Sequence, residues 1–188
     1  MQKSLVFLIL IYLYFSCTSK TEHTHEWPEY LGGGDKNHYS VLDQINPSNL
    51  DSLHIVWEYS TLDSGQMQTN AIIKDGIVYG VTPSVRVFAL NAGTGQQIWI
   101  TDKSMDAWHS TLRGVTYWES QDRKDMRILY TMGPNLYAVN ALDGQPIRSF
   151  GLDGKVDLHE GFPELAKEKF IISNTPGTLY KDLIIMPV

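Results

Sequence analysis

The chain has 188 residues, a formal net charge of −6, 43% hydrophobic residues and 11% aromatic residues. That is the composition of a folded globular protein and excludes disordered and collagen-like classes. The acidic balance, with no basic stripe to neutralise phosphates, argues against a nucleic-acid partner.

Taken in chain order, the first element is a leader. Lys3 supplies a positive charge, and Leu5 to Phe15 is an uninterrupted apolar run of eleven residues. A bilayer-spanning helix needs roughly 20 residues, so this run has the length of a signal-peptide core. It ends at Ser16-Cys17, which resembles a bacterial lipobox. On that resemblance residues 1–17 are a lipoprotein signal peptide and Cys17 carries the lipid; the alternative is a free thiol. Cys17 is the only cysteine, so the rest of the chain holds no internal disulfide. Residues 18–26 are polar and aperiodic and read as a tether, with His23 and His25 solvated in it.

After an aromatic and glycine-rich stretch from Trp27 to Asp35, Asn46-Pro47-Ser48 reads as a helix start, asparagine at the cap and proline in the first turn. Leu53 to Tyr59 then reads as a strand. From Asp75 a repeat begins. Asp75 to Gly80 is a turn leading into a strand, Val85 to Ala92 a second strand, Gly93-Thr94-Gly95 a turn, and Gln96 to Ile100 a third strand. The same grammar returns as Arg127 to Thr131, Leu136 to Ala141, Leu142-Asp143-Gly144, and Gln145 to Phe150. Phe88–Ala92 recurs as Tyr137–Ala141, 49 residues on, and a third copy opens at Tyr180 to Ile185.

Repeats of about 50 residues made of short strands and glycine turns predict an all-β fold of β-propeller blades, four strands each. Gly93-Thr94-Gly95 is no dinucleotide loop, since a strand carrying Trp99 follows it where a phosphate-binding helix would have to start. Trp57 and Trp99 occupy matching outer-strand positions and read as blade-packing residues. An outer strand at Leu53 to Tyr59, ahead of its own blade, predicts ring closure, in which this strand completes the last blade and removes exposed sheet edges. The chain has room for about three blades, whereas a closed ring needs at least about four. Residues 27–188 are therefore expected to be the N-terminal part of a longer propeller.

Three stretches go beyond the generic repeat: Trp27 to Asp35 with Tyr39 to Asn46, Thr82 to Gly95, and His109-Ser-Thr-Leu-Arg113-Gly-Val-Thr-Tyr-Trp118. Together they resemble the pyrroloquinoline quinone (PQQ) dependent dehydrogenases of the membrane glucose and quinate type, eight-bladed propellers. PQQ is a planar tricarboxylate with an electrophilic quinone, so its pocket needs cationic donors and flat groups. The resemblance implies that Arg113 contacts the quinone cofactor and that His109 lies against its ring. It also implies that Gln68 and either Asn174 or Thr175 face the cofactor from neighbouring inner strands. The alternatives are an arginine tying blades together, a loop histidine, and polar residues that only satisfy backbone groups. Trp108-His109 stands where methanol-type relatives carry two adjacent cysteines, which places the chain nearer the glucose and quinate branch.

The resemblance implies an oxidoreductase that oxidises a sugar or polyol hydroxyl and passes electrons to a quinone or cytochrome, at the periplasmic side of the bacterial envelope. It places the catalytic aspartate and the ligands of a calcium or magnesium ion in blades beyond Val188, so no catalytic or metal residue is assigned within this chain. Asp153, Asp157, His159 and Glu160 read as a solvated connecting loop. The competing function is a non-enzymatic propeller lipoprotein of the outer-membrane barrel-assembly type. Such a scaffold has no use for the His109 to Trp118 stretch.

Overall fold

The computed structural model describes residues 26–105, 107 and 111–188. The leader, Cys17, His23, His25, Trp108 and His109 lie outside these residues, so the expectations placed on them are not addressed by the fold.

Two four-stranded antiparallel sheets and the opening hairpin of a third follow one another along the chain. The first sheet contains β1 (Ile72–Lys74), β2 (Ile77–Val81), β3 (Val87–Asn91) and β4 (Gln97–Ile100), hydrogen-bonded in that order. The second contains β5 (Thr116–Glu119), β6 (Met126–Met132), β7 (Asn135–Asn140) and β8 (Lys155–Asp157), again in chain order. The third has β9 (Thr178–Tyr180) paired with β10 (Leu183–Ile185). The described helices are a 3-10 turn at Leu50–Ser52 and α1 (Glu164–Lys167). Neither is long and apolar enough to cross a membrane. This is an all-β, propeller-type architecture: consecutive blades with no crossover helix among the described residues.

The apolar runs follow from the stacking of these sheets. Successive residues of a strand point to opposite faces. Tyr79, Ala89, Ile128 and Val139 belong to one core shared by the first two sheets. Their neighbours Val78, Phe88 and Leu90 pack on the outer side of the first sheet against Trp57 and Tyr59. Leu129, Leu136 and Ala138 pack on the far side of the second against Ile184 and Met186 of the third. Both faces of each full sheet are covered, so its strands read as near-continuous hydrophobic segments.

The turn between the third and fourth strands docks each blade to its predecessor. Asn91 Oδ1 accepts from the Gly93 and Thr94 amides at 3.0 Å each, and Gly95 N–H returns to the Asn91 carbonyl at 2.8 Å. Asn140 and Gly144 repeat this turn in the second blade. The indole N–H of Trp57 donates to Ala92 O at 3.0 Å, and that of Trp99 donates to Ala141 O at 3.0 Å. Gly95 (φ +70°) and Gly144 (φ +72°) lie under those rings; a Cβ on either would come within 2.6 Å of ring carbon. The blade-packing reading of both tryptophans therefore holds.

Leu53 to Tyr59, expected to close the ring on the last blade, has no strand partner among the described residues, and the closure is not addressed by the fold. Ile55 and Val56 are exposed, and only Trp57 and Tyr59 reach the first blade. Two expectations are corrected in detail. Gln145 to Phe150 is not the outer strand of the second blade. It pairs only over Gln145 to Ile147, leaves the sheet, and β8 resumes the ladder opposite Asn135–Tyr137. The Phe150 amide turns back to Ile147 O at 3.0 Å, a turn where an outer strand would run on. The helix predicted from Asn46 is a turn that ends in the 3-10 segment, with Asn46 Oδ1 accepting from the Ser48 amide at 3.1 Å.

Candidate functional site

The strands β1, β5 and β9 open their respective sheets and are the ones through which neighbouring blades meet at one end. Residues just ahead of them are joined in series. Asn70 N–H donates to Arg113 O at 2.7 Å, and Arg113 N–H donates to Asn174 O at 2.9 Å. Asn70 Nδ2 adds a second contact to Arg113 O at 3.3 Å. The buried Thr116 hydroxyl reaches Gly177 O at 3.0 Å, and Thr131 reaches Ser173 O. Thus three blades present their inner-strand entrances as one backbone-linked arc.

This arc brings together most of the described residues expected at the site. Gln68, Arg113 and Asn174 are exposed on it, and Thr175 is half-buried. Thr175 O accepts from Ser173 Oγ at 3.2 Å, and Gln68 O lies 3.5 Å from Asn70 Nδ2. Two residues escaped the sequence reading. Asn70 supplies the first link of the arc. Gly114 (φ +156°) sits where a Cβ would come within 2.9 Å of Asn70 O and 3.3 Å of the Pro176 ring. The signal for Gly114 was present, because an Arg-Gly pair ahead of a strand marks close backbone approach.

The electrostatics suit an anion. No described carboxylate pairs with Arg113, whereas most other arginines in the described residues do: Arg123 with Asp75 and Glu119, Arg127 with Asp125, Arg148 with Asp153. A guanidinium with no described carboxylate partner, on a backbone joined to Asn70 and Asn174, offers the planar, bidentate donors that carboxylates and quinone oxygens accept. The residues present therefore fit PQQ. Nearby, Asp63 accepts from Ser84 and Thr82, bonds that hold its carboxyl below the usual range. This ties the chain ahead of β1 to the β2–β3 turn at the same end of the blade.

The acidic stretch is not one loop: Asp157 ends β8, and Asp153, His159 and Glu160 lie in the turns that flank it. Arg148 pairs with Asp153 at 2.8 Å on the surface. His159 is held by the Lys169 carbonyl at 2.9 Å on one ring nitrogen and by Asp157 at 2.7 Å on the other. No group of three or more metal-ligating side chains is assembled among the described residues. Both partners of His159 are acceptors, so the imidazolium, with two N–H donors, fits better than the neutral ring. The Lys169 carbonyl first, and Asp157 second, hold the His159 pKa above its ordinary value of 6.5. A pKa raised on folding stabilises below the unfolded value and is lost as pH rises through the folded one. The tie between residues 157 and 169 is thus expected to loosen on the alkaline side of 6.5. An NMR titration of the His159 ring should show a midpoint above that value, moved down in Asp157→Asn.

The profile of the family described as "PQQ: Glucose/ethanol/alcohol dehydrogenase, beta-propeller domain" matches residues 27–188. The quinate/shikimate dehydrogenase (quinone) of Acinetobacter baylyi is 28% identical over 181 residues, covering 80% of this chain and 22% of that protein. The quinoprotein glucose dehydrogenase of Escherichia coli is 30% identical over 161 residues, covering 74% of this chain and 20% of that protein. The chain spans about a fifth of the length of these relatives. The crystal structure of quinohemoprotein alcohol dehydrogenase from Comamonas testosteroni superposes with a TM-score of 0.71 over 89% of this chain and 24% of that one, at 22% identity, a likeness of fold. With the family profile matched from Trp27 to Val188, the chain belongs to the beta-propeller domain family of the PQQ glucose/ethanol/alcohol dehydrogenases.

Proposed function

We propose that this chain supplies the PQQ-binding arc of a quinoprotein oxidoreductase. The enzyme would oxidise a sugar or polyol hydroxyl and pass electrons to a quinone or cytochrome. The observation that carries the reading is the backbone-linked arc of Asn70, Arg113 and Asn174, with a guanidinium that no described carboxylate neutralises. In this reading Arg113 takes an anionic or carbonyl oxygen of the cofactor. Gln68, Asn174 and Thr175 offer polar contacts from flanking blades, and His109 lies against the ring. Bound PQQ would supply the two-electron acceptor. The general base and the calcium or magnesium ligands come from other blades of the ring. A leader ending at Cys17 fits a lipid anchor facing the periplasm.

Calorimetric titration of the protein with PQQ and with its trimethyl ester tests the charge reading. A site that reads carboxylates through Arg113 should prefer the free acid by about tenfold or more, the equivalent of one charged hydrogen bond. Equal affinities would contradict it. Residues 1–188 alone are expected to show no turnover with PQQ and calcium added, because this reading places the base outside the arc. Sugar or polyol oxidation by that chain would refute the assignment of the base.

A further inference from the structure

Residues 26–38 belong to neither the blade repeat nor the cofactor contacts, yet they touch all three blades from one side. Trp27 pairs with Ile73 through two backbone hydrogen bonds, of 3.0 and 2.8 Å. This covers the edge of β1 that its own sheet leaves free. At the start of the segment, Glu26 takes Lys74 Nζ at 2.9 Å and the Asp75 amide at 3.0 Å. Tyr30 then packs at the second blade, its ring 3.5 Å from where a Cβ on Gly114 would sit, next to Arg113. Lys36 reaches the third blade, its ammonium 2.6 Å from the Thr178 hydroxyl of β9.

Internally the segment is folded tightly. Gly32 N–H returns to Glu29 O at 2.9 Å and Lys36 N–H to Gly33 O at 2.9 Å. The Trp27 ring lies on Gly32, where a Cβ would meet it at 2.9 Å. Leu31, Lys36 and His38 adopt left-handed backbone (φ 67°, 50° and 58°), which side-chain-bearing residues keep only where surroundings hold them.

The inner strands of successive blades are otherwise joined by a few hydrogen bonds at one end and by the buried core that holds Ile72, Val115 and Tyr117. A segment crossing all three adds restraint where small rotations of a blade would move Arg113 relative to Gln68 and Asn174. We propose that residues 26–38 form an axial strap, pinned by Lys36, that clamps the inner strands of three consecutive blades and floors the Arg113 site. Lys36 is then a positioning residue. The clamp follows from these contacts alone; only its consequence for the cofactor rests on the PQQ reading.

Hydrogen exchange resolved by mass spectrometry tests the clamp in the protein without cofactor. Amides of 27–38 and 72–74 should be protected. Lys36→Met should speed exchange about tenfold in 27–38 and 178–180, the size of one hydrogen bond to a charged donor, and leave 126–140 unchanged. Thr178→Val should do the same, and Lys36→Arg should restore protection. Unprotected Trp27 and Ile73 amides in the parent would overturn the clamp. So would unaltered exchange in both Lys36→Met and Thr178→Val, or equal loosening of 126–140 in both. PQQ titration provides the second arm: Lys36→Met should weaken binding several-fold with Arg113 intact. Unchanged affinity with a loosened strap would remove the floor role. A parent that binds no PQQ yet shows the predicted exchange would sink the cofactor reading and support the clamp.

Discussion

Trp99→Ala is expected to lower the unfolding free energy by about 3–5 kcal/mol, the range for truncating a large buried aromatic. Trp99 is 7% exposed. Its ring covers Gly144 of the next blade and lies 6.1 Å from Tyr79, centroid to centroid. Truncation opens a cavity between two sheets that share one core and removes a donor from Ala141 O. That carbonyl keeps only the Tyr79 hydroxyl at 3.2 Å. Trp57→Ala removes the same contact one blade earlier but should cost less, because Trp57 is half-buried. Gly144→Ala attacks the interface from the other side: its Cβ would collide with the indole, and φ +72° strains any side-chain-bearing residue. Urea unfolding followed by circular dichroism reads all three. Trp99→Ala within about 0.5 kcal/mol of the parent, the scatter of surface changes, would mean that the blades do not dock through this residue.

The blade repeat was legible because it is written in turn residues and alternation. Asn91 and Asn140, each with a glycine four positions on, encode the same side-chain-capped turn wherever it occurs. Trp57 and Trp99 could be matched because each precedes such a turn in the following blade. Strand extents were less legible, for reasons that lie outside local sequence. β1 and β5 were missed since their short inner strands are defined by pairing at one edge and by approach to neighbouring blades. The outer strand of the second blade was misplaced by about ten residues because the chain turns between Ile147 and Phe150 within a stretch whose composition is strand-like.

At the site, family resemblance carried more than residue chemistry did. Nothing in the spacing of Gln68, Arg113 and Asn174 announces that they converge. Their intervals of 45 and 61 residues differ because the connecting segment around α1 is inserted in only one repeat. The backbone bonds linking Asn70, Arg113 and Asn174 are equally invisible, since main-chain donors have no residue signature. Gly114 is the exception. The requirement for a missing Cβ between two blades is recorded directly in the residue type.

The largest functional effect is expected at Arg113. Its links in the arc are made by the backbone and not by the exposed guanidinium, the amide donating to Asn174 O at 2.9 Å and the carbonyl accepting from Asn70 N–H at 2.7 Å, so truncating the side chain should leave the arc intact. The lost interaction is one charge-assisted hydrogen bond, about 1.5–3 kcal/mol, or about one to two decades in affinity. Arg113→Lys should fall between, keeping the charge and losing the bidentate fork. Titration calorimetry of PQQ into the parent and Arg113→Ala proteins therefore tests the central claim most directly. The arc predicts binding weakened about ten- to a hundredfold with an unchanged unfolding midpoint. Equal affinity in the two proteins would contradict it and return the chain to a propeller scaffold that binds no quinone.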